Sequence, residues 1–509
     1  AGVILMNLEQ MRKDQAADQL LQTATQKGTQ FEYQDQDVIN TTFRGGKIKE
    51  LPGIYNYTAT DDKFHTVKDP VIIHYNGDVK PWSTERRCPN TMASRYFAYL
   101  RLTPYRKFRS EFVRSRIVRT LKKAAGIDVY PSRVKVALIV DEYFGACGTA
   151  YGGYGFLARN YIARYLPDTN ISVEVLLSNK HRWKFAPNAL TEKVDNRKVI
   201  VPPGRFFARQ WLKKKKYDIY LTVELTHNIL KYERRSKPII HWIQDPRPWS
   251  EWLEIQTVKL FPENSYWSSS LYDSVNKLYG KGLVTFVSQG YFLNDKAIEL
   301  YRLPGDAPIA YMPNPIDIDY GFDPESYPKK NHILFIGRIE SIKRGWLFCE
   351  IAKQLPQYEF FMLGQTFREK SQNESIMAGY RDIPNLHFVG HVEGEEKMKY
   401  IREAKILVNT SIHEALPITF LEALAYGTLL VSCRNPEDLT SKFGRYTGPV
   451  LGDGFDKVPL FTSAIEELIE NEGLRKELSC KAVEYIREIH PVHKFQQHMR
   501  KLIHDLAHK

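Results

Sequence analysis

Apolar runs of strand length recur along the chain, and each is followed by a stretch whose apolar positions fall at helical spacing. Between residues 133 and 315 the runs are VKVALIV (134–140), SVEVLL (172–177), YDIYLTV (217–223), PIIHWI (238–243) and LVTFVS (283–288). Between 316 and 490 they are HILFIG (332–337), YEFFMLG (358–364), LHFVG (386–390), KILVNT (405–410) and TLLVSC (428–433). Continuous apolar strands are buried on both faces, and helices between them cover a parallel sheet. The pattern predicts an α/β protein with two doubly wound, Rossmann-like domains, 133–315 and 316–490, facing a cleft. Pro491 sets off a last helix over 491–509. Upstream, residues 1–85 predict a strand at 1–8, a polar helix at 9–27, a helix near 37–43 and a strand at 71–75. Residues 86–132 predict a basic helical connector.

Length and composition fit this plan. The 509 residues correspond to about three or four domains. With 43% hydrophobic and 26% charged residues, the chain is globular rather than disordered or fibrous. No run of roughly 18 apolar residues spans a bilayer. Five scattered cysteines without CxxC spacing argue against a disulfide framework or a structural zinc site. They fit a reducing, cytoplasmic compartment. The opening AGVILMNL reads as a buried strand, with no basic segment before it, and not as a signal peptide. The chain is expected to be cut from a longer protein.

Charge adds one feature. The net charge is +13, and residues 86–123 hold twelve Lys or Arg against the single Glu111. Aromatic and aliphatic residues alternate with these cations. Three readings stay open for the segment: an anionic membrane surface, a linker helix with one packed face, or nucleic acid. No nucleic-acid motif accompanies it, so a nucleic-acid partner is not expected. A membrane contact would place the protein peripherally on the inner face. The second basic run, Lys213 to Lys216, is expected to be a solvated loop or helix end.

The most specific pattern is SIHEALPITFLEALAYG (411–427). Glu414 follows a strand, Pro417 fits the first turn of a helix, Glu422 falls in its second turn, and Gly427 can stop it. The free N–H groups at that helix start can hold an anion. The two carboxylates bracket this point, and each can accept bonds from a diol, as in ribose or a sugar. In the same domain, GRIESIKRG places Arg338 and Lys343 after a strand, where two cations can hold a diphosphate without a metal.

These residues resemble retaining glycosyltransferase family 4, of the two-domain GT-B fold, over roughly residues 133–509. The family's E-x7-E element matches Glu414 and Glu422, and its Arg/Lys pair matches Arg338 and Lys343. The resemblance implies that Glu422 binds ribose hydroxyls and Glu414 donor-sugar hydroxyls. Arg338 and Lys343 would stabilise the leaving diphosphate, and backbone at Ala415 and Leu416 would reach sugar or phosphates. Gly364, Gly390, His391 and Val392 would line the donor site, and Gly152 and Gly153 would face the phosphates. Gln244 and Asp245, in PIIHWIQDPRPW, stand where many members have His-Asp; they are sugar or acceptor candidates, with a purely structural role as the other reading. TFVSQG (285–290) and PNPID (313–317) are most similar to rhamnosyltransferase-type members. The expected activity is metal-independent glycosyl transfer from a nucleoside-diphosphate sugar to a glycan or lipid-linked glycan. Its rivals are a non-catalytic nucleotide-sugar binder and a nucleic-acid-binding protein. His227, in VELTHN, could line the cleft, but a lone histidine is more often structural.

Residues 1–85 resemble the C-terminal part of glycosyltransferase family 8, a GT-A group, through AGVILMNL, YQDQDVIN and IIHYNGDVKPW. The resemblance implies that Asp35 and Gln36 line a sugar site, that Gly77 and Lys80 hold a diphosphate, and that His74 is a ligand of Mn2+ or Mg2+ in a complete domain. The family's metal-binding D-x-D lies upstream of the first residue, and DQD (35–37) is not that element. This block is expected to be inactive as it stands. A complete parent would carry two transferases in tandem; the rival is a remnant that packs on the second module.

Overall fold

The computed structural model describes residues 6–27, 35–43, 51–55, 57–58, 70–75, 80–82, 92–110, 112–114, 117, 133–178, 182–224, 228–233, 235–260, 262–265, 267–366 and 370–507. The chain forms two units, Ala1–Pro131 and Ser132–Lys509.

In the first unit the expected strand at 1–8 is replaced, where described, by a helix start. Leu8–Lys13 is helical, and Asn7 caps it by accepting from the Gln10 N–H at 3.1 Å. Gln15, at φ 50°, breaks the long polar helix expected over 9–27, and Ala16–Lys27 follows. Asp35–Thr42 is helical. Strand β1 (Tyr57–Thr58) pairs in parallel with β2 (Ile73–His74). Helix Ala93–Leu100, in the basic connector, turns its rings inward: Tyr96 lies 5.0 Å from Trp82, and Phe97 lies 5.0 Å from the buried Phe112. Several connector aromatics are thus used for packing. Tyr99, Leu102 and Tyr105 remain exposed beside Arg101 and Arg106.

The second unit contains two open sheets. The first runs β3 (Val134–Val140), β4 (Ile171–Leu177), β5 (Leu190–Val194), β6 (Arg197–Val201), β7 (Ile219–Val223), β8 (Ile239–Ile243), β9 (Val284–Ser288) and β10 (Ile309–Tyr311), in spatial order 10-9-8-7-3-4-6-5. All pairs are parallel except β5–β6. The apolar pattern does not predict that hairpin, because its edge strand β5 is mostly polar and exposed. The signal for it is Asp195-Asn196, both at positive φ, in a two-residue turn between alternating runs. The second sheet runs β11 (Lys330–Ile336), β12 (Glu359–Leu363), β13 (Leu386–Gly390), β14 (Ala404–Asn409), β15 (Leu429–Ser432) and β16 (Gly444–Tyr446), all parallel, in order 13-12-11-14-15-16.

The last helix, Val492–Ala507, returns to the first domain. Phe495 stacks on Trp242 with centroids 5.5 Å apart, and Arg500 and Gln496 donate to the Tyr165 carbonyl at 2.7 and 2.9 Å. The chain therefore crosses between domains twice, near 312–318 and near 490, where the Ile316 N–H donates to the His490 carbonyl at 2.9 Å.

Candidate active-site cleft

The carboxyl ends of the two sheets face a cleft of about 1220 Å³. Open α/β sheets bind ligands at these ends.

The second domain places its charges through two loops joined backbone to backbone. The Ile412 N–H donates to the Ile342 carbonyl at 2.8 Å, and Thr410 Oγ1 to the Lys343 carbonyl at 2.8 Å. Between them Arg344, at φ 48° and fully buried, donates to the carbonyls of Thr410 (2.7 Å), Val450 and Gly452 (both 2.9 Å). Of the adjacent Lys-Arg pair, the arginine anchors the loop and the lysine reaches the cleft.

Lys343 Nζ lies 2.5 Å from Glu414 Oε1. Ser411 Oγ and Asn409 Nδ2 donate to the same oxygen at 2.6 and 2.9 Å. Burial pushes this carboxyl up, but Lys343 and the two donors outweigh it and hold Glu414 below the usual carboxylate range. Arg338 is 29% exposed, with Glu340 Oε1 3.3 Å away.

Glu422 sits on helix Ile418–Ala425. Pro417 is the N-cap rather than the first helical residue, and Gly427, at φ 61°, ends the helix as expected. Lys397 Nζ donates to Glu422 Oε1 at 2.6 Å and stands 4.7 Å from the centre of the Phe156 ring. Glu422 Oε2 is buried and has no hydrogen-bond partner. A buried carboxylate oxygen left so is costly unless a ligand donates to it.

Ala415, Leu416, Gly364, His391 and Val392 all line the cleft, and Gly390 directly precedes His391. His391 Nε2 lies 2.5 Å from Glu393 Oε1. Gly364 is required by space: a Cβ there would come within 1.8 Å of the Gly337 carbonyl oxygen. On the facing domain, a Cβ at Gly152 would strike Glu142 Oε1 at 1.9 Å, whereas Gly153 opens on free space. The helix beyond Gly152 starts at Gly153 and contains a π-helical turn over Leu157–Ile162.

Gln244 and Asp245 also line the cleft but are committed to protein partners. Gln244 exchanges amide bonds with Asn314 at 2.9 and 3.0 Å, and Asn314 donates to Gln289 Oε1 at 2.6 Å. Glu224 Oε2 accepts both backbone N–H groups, Gln244 at 2.6 Å and Asp245 at 2.8 Å. Asp245 is held by Arg247 and by His413, whose Nε2 lies 2.7 Å from Oδ1. His413 Nδ1 also meets Glu251. This single imidazole of the second domain therefore bonds two carboxylates of the first. Sequence reasoning misses Lys397, His413, Glu224 and Arg344; their signal, a charged residue at a strand or helix end, is too common to find them.

The family-8-like candidates are only partly visible. Gly77 and His227 lie outside the described residues, as do the side chains of Asp35 and Gln36. Lys80 Nζ donates to the Tyr75 carbonyl at 2.5 Å. His74 lies on β2; among the described residues no three His, Cys, Asp or Glu converge on a metal-sized site.

Fold and site define a protein of the two-domain GT-B architecture. Residues 319–484 match the family model Glycosyl transferases group 1, and residues 1–86 match Glycosyl transferase family 8. Sucrose-phosphate synthase from Thermosynechococcus elongatus is 16% identical, with a TM-score of 0.54 over 74% of this chain and 99% of that one. Anabaena HepE in complex with UDP is 11% identical, with a TM-score of 0.52 over 74% and 100%. A glycosyltransferase from Rickettsia africae is 14% identical, with a TM-score of 0.52 over 74% and 99%. A Haemophilus influenzae protein bearing a provisional glycosyltransferase name is 30% identical over 89 residues, 16% of this chain; the match spans about a quarter of that relative's length (27%).

Proposed function

We propose that the second unit is a glycosyltransferase that moves a hexosyl or rhamnosyl group from a nucleoside-diphosphate sugar to a hydroxyl of a growing or lipid-linked glycan. The observation that carries this is Glu414, Glu422, Arg338 and Lys343 lining one cleft, with one buried oxygen of Glu422 awaiting a donor. Anabaena HepE, of similar fold, has been solved with UDP and with UDP-glucose. In this reading ribose hydroxyls donate to Glu422 Oε2, and Glu414 orients the sugar. Arg338 and Lys343 stabilise the diphosphate as the anomeric C–O bond breaks, by fixed charge and without a metal. The acceptor oxygen bonds to the anomeric carbon and its proton passes to a donor phosphate oxygen, with configuration retained. Closure of the cleft excludes water. Residues 1–86 are read as the C-terminal part of a family-8-like domain, inactive alone, whose Asp35, Gln36, Gly77, Lys80 and His74 act only in a complete parent. The exposed side of the connector supports contact with an anionic membrane at the cytoplasmic face.

The test is release of nucleoside diphosphate from UDP-, GDP-, dTDP- and ADP-sugars, in EDTA and in manganese, with a glycan acceptor present. Release from one donor in EDTA, abolished by Glu414→Ala and by Arg338→Ala, is expected. Tight nucleotide binding without turnover on any donor would replace the enzyme by a binding module.

A further inference from the structure

The first α/β domain carries a surface that the proposed transfer does not use. Trp183 is 70% exposed, Phe206 58% and Phe185 42%. These rings touch one another. Phe185 and Phe206 stack with centroids 4.5 Å apart and planes 8° from parallel, and Trp183 meets Phe185 edge-on at 5.3 Å. Lys184 Nζ lies 5.2 Å from the centre of Phe185, and the Arg205 guanidinium 5.4 Å from that of Phe206. The segments that supply the patch, RWKF (182–185) and RFFARQWLKKKK (205–216), hold eight Lys or Arg and no Asp or Glu.

The local fold explains why the rings stay outside. Helix Arg205–Lys215 buries only Ala208 and Leu212, so Phe206, Phe207, Arg209, Lys213 and Lys214 face water. The basic run expected to be a loop or helix end is the last turn of this helix. The place of the patch is set by topology. The 182–185 segment follows β4 and the helix follows β6, two parallel strands whose carboxyl ends point to the cleft side of the sheet. Ser178, directly after β4, donates to Asp141, which lines the cleft.

We propose that this patch docks the protein on an anionic lipid bilayer, the three rings entering the interface and the exposed Lys184, Arg205, Arg209, Lys213 and Lys214 meeting headgroups. A contiguous exposed apolar patch signals a partner, and aromatic rings bordered by Lys and Arg fit the boundary between acyl chains and anionic headgroups. A neutral glycan offers nothing to so many cations. A single-stranded nucleic acid would match the charge, but it stacks bases on open ring faces. Here each phenylalanine already carries a partner ring and a cation. Docking through this edge brings the flank of the cleft toward the membrane; its value for a lipid-linked acceptor rests on the transferase reading, but the docking itself does not.

The experiment uses the full chain, vesicles of phosphatidylcholine with and without phosphatidylglycerol, and no sugar donor. Its readout is therefore independent of turnover. Flotation with the anionic vesicles is expected. The triple variant Trp183→Ala, Phe185→Ala, Phe206→Ala should bind at least about tenfold more weakly, with its melting temperature unchanged because all three side chains are exposed. Lipids brominated on the acyl chain should quench more emission in the wild type than in Trp183→Phe. Equal flotation of wild type and triple variant would overturn the proposal, because binding would then belong to the 86–123 connector. So would tighter binding to an oligothymidine than to the vesicles, or quenching unaffected by Trp183→Phe.

Discussion

The two α/β domains offer buried polar groups to one cleft and use them differently. In the first domain Gln244, Gln289, Asn314 and Glu224 are satisfied by one another and by backbone. In the second, Glu422 keeps an unpartnered oxygen and Arg338 stays partly open to the cleft. A group whose bonds are filled holds a wall in place. A buried group left short of a bond is unstable until something donates to it. In the proposed reading nucleotide recognition therefore falls to the second domain, and the first supplies a preset wall.

The largest effect expected of this division is at Lys343. Lys343→Ala leaves Glu414 charged, buried and short of its cation, a loss of about 3–5 kcal/mol in urea unfolding. Adding Glu414→Gln should restore most of the stability and none of the nucleotide release. If the single variant unfolds like wild type, the pair is not buried as described. Next comes a direct contrast between the domains. Glu422→Ala should weaken nucleotide binding by about tenfold or more in calorimetry, because the lost bond is to ligand. Gln244→Ala should instead lower stability by about 1–3 kcal/mol through stranded amides, with nucleotide affinity nearly unchanged. The reverse outcome would exchange the roles of the two domains.

A smaller effect is expected where the domains meet. His413→Ala removes the imidazole between Asp245 and Glu251. Each carboxylate keeps another cation, Arg247 for Asp245 and Lys296 for Glu251. The cost should stay near about 1–2 kcal/mol rather than that of a bare buried charge. Double-mutant cycles with Asp245→Asn would show coupling if the bond is real.

The core strands of both sheets were legible because runs such as VKVALIV and KILVNT are apolar on both faces, which leaves little alternative. The β5–β6 hairpin was not, because an edge strand need bury only one face and its polar Thr191, Glu192 and Lys193 read as loop. The helix break at Gln15 is set by a backbone angle that composition does not reveal. In the site, Glu414 and Glu422 were visible through spacing within one segment. Lys397 and His413 were not, because their partners lie 25 and 162 to 168 residues away and only the fold brings them together. The same limit applies to Gln244: its sequence position marks it as a site residue, and the bonds to Asn314 that fill it come from a strand-end loop 70 positions on.

The smallest effect expected is a pH signature with two opposite signs. Burial, helped by neighbouring Glu142 and opposed by the Ser178 hydroxyl, pushes Asp141 up to about 6. Folding thus favours its protonated form, and stability is lost as pH rises from the unfolded value near 3.8 through 6. Glu251 behaves oppositely. Burial raises it, but His413 and Lys296 outweigh burial and bring it to about 2. Its contribution is present above the unfolded value of 4.5 and is lost as pH falls toward 2. One neutral substitution at each position separates the two. Asp141→Asn should raise the melting temperature at about pH 7.5 and leave it unchanged below about pH 4, whereas Glu251→Gln should lower it at about pH 7.5 and matter progressively less toward about pH 2. Parallel shifts of the two variants across this range would mean that the two carboxylates share one environment, and the contrast between a strained wall residue and a paired bridging residue would fail.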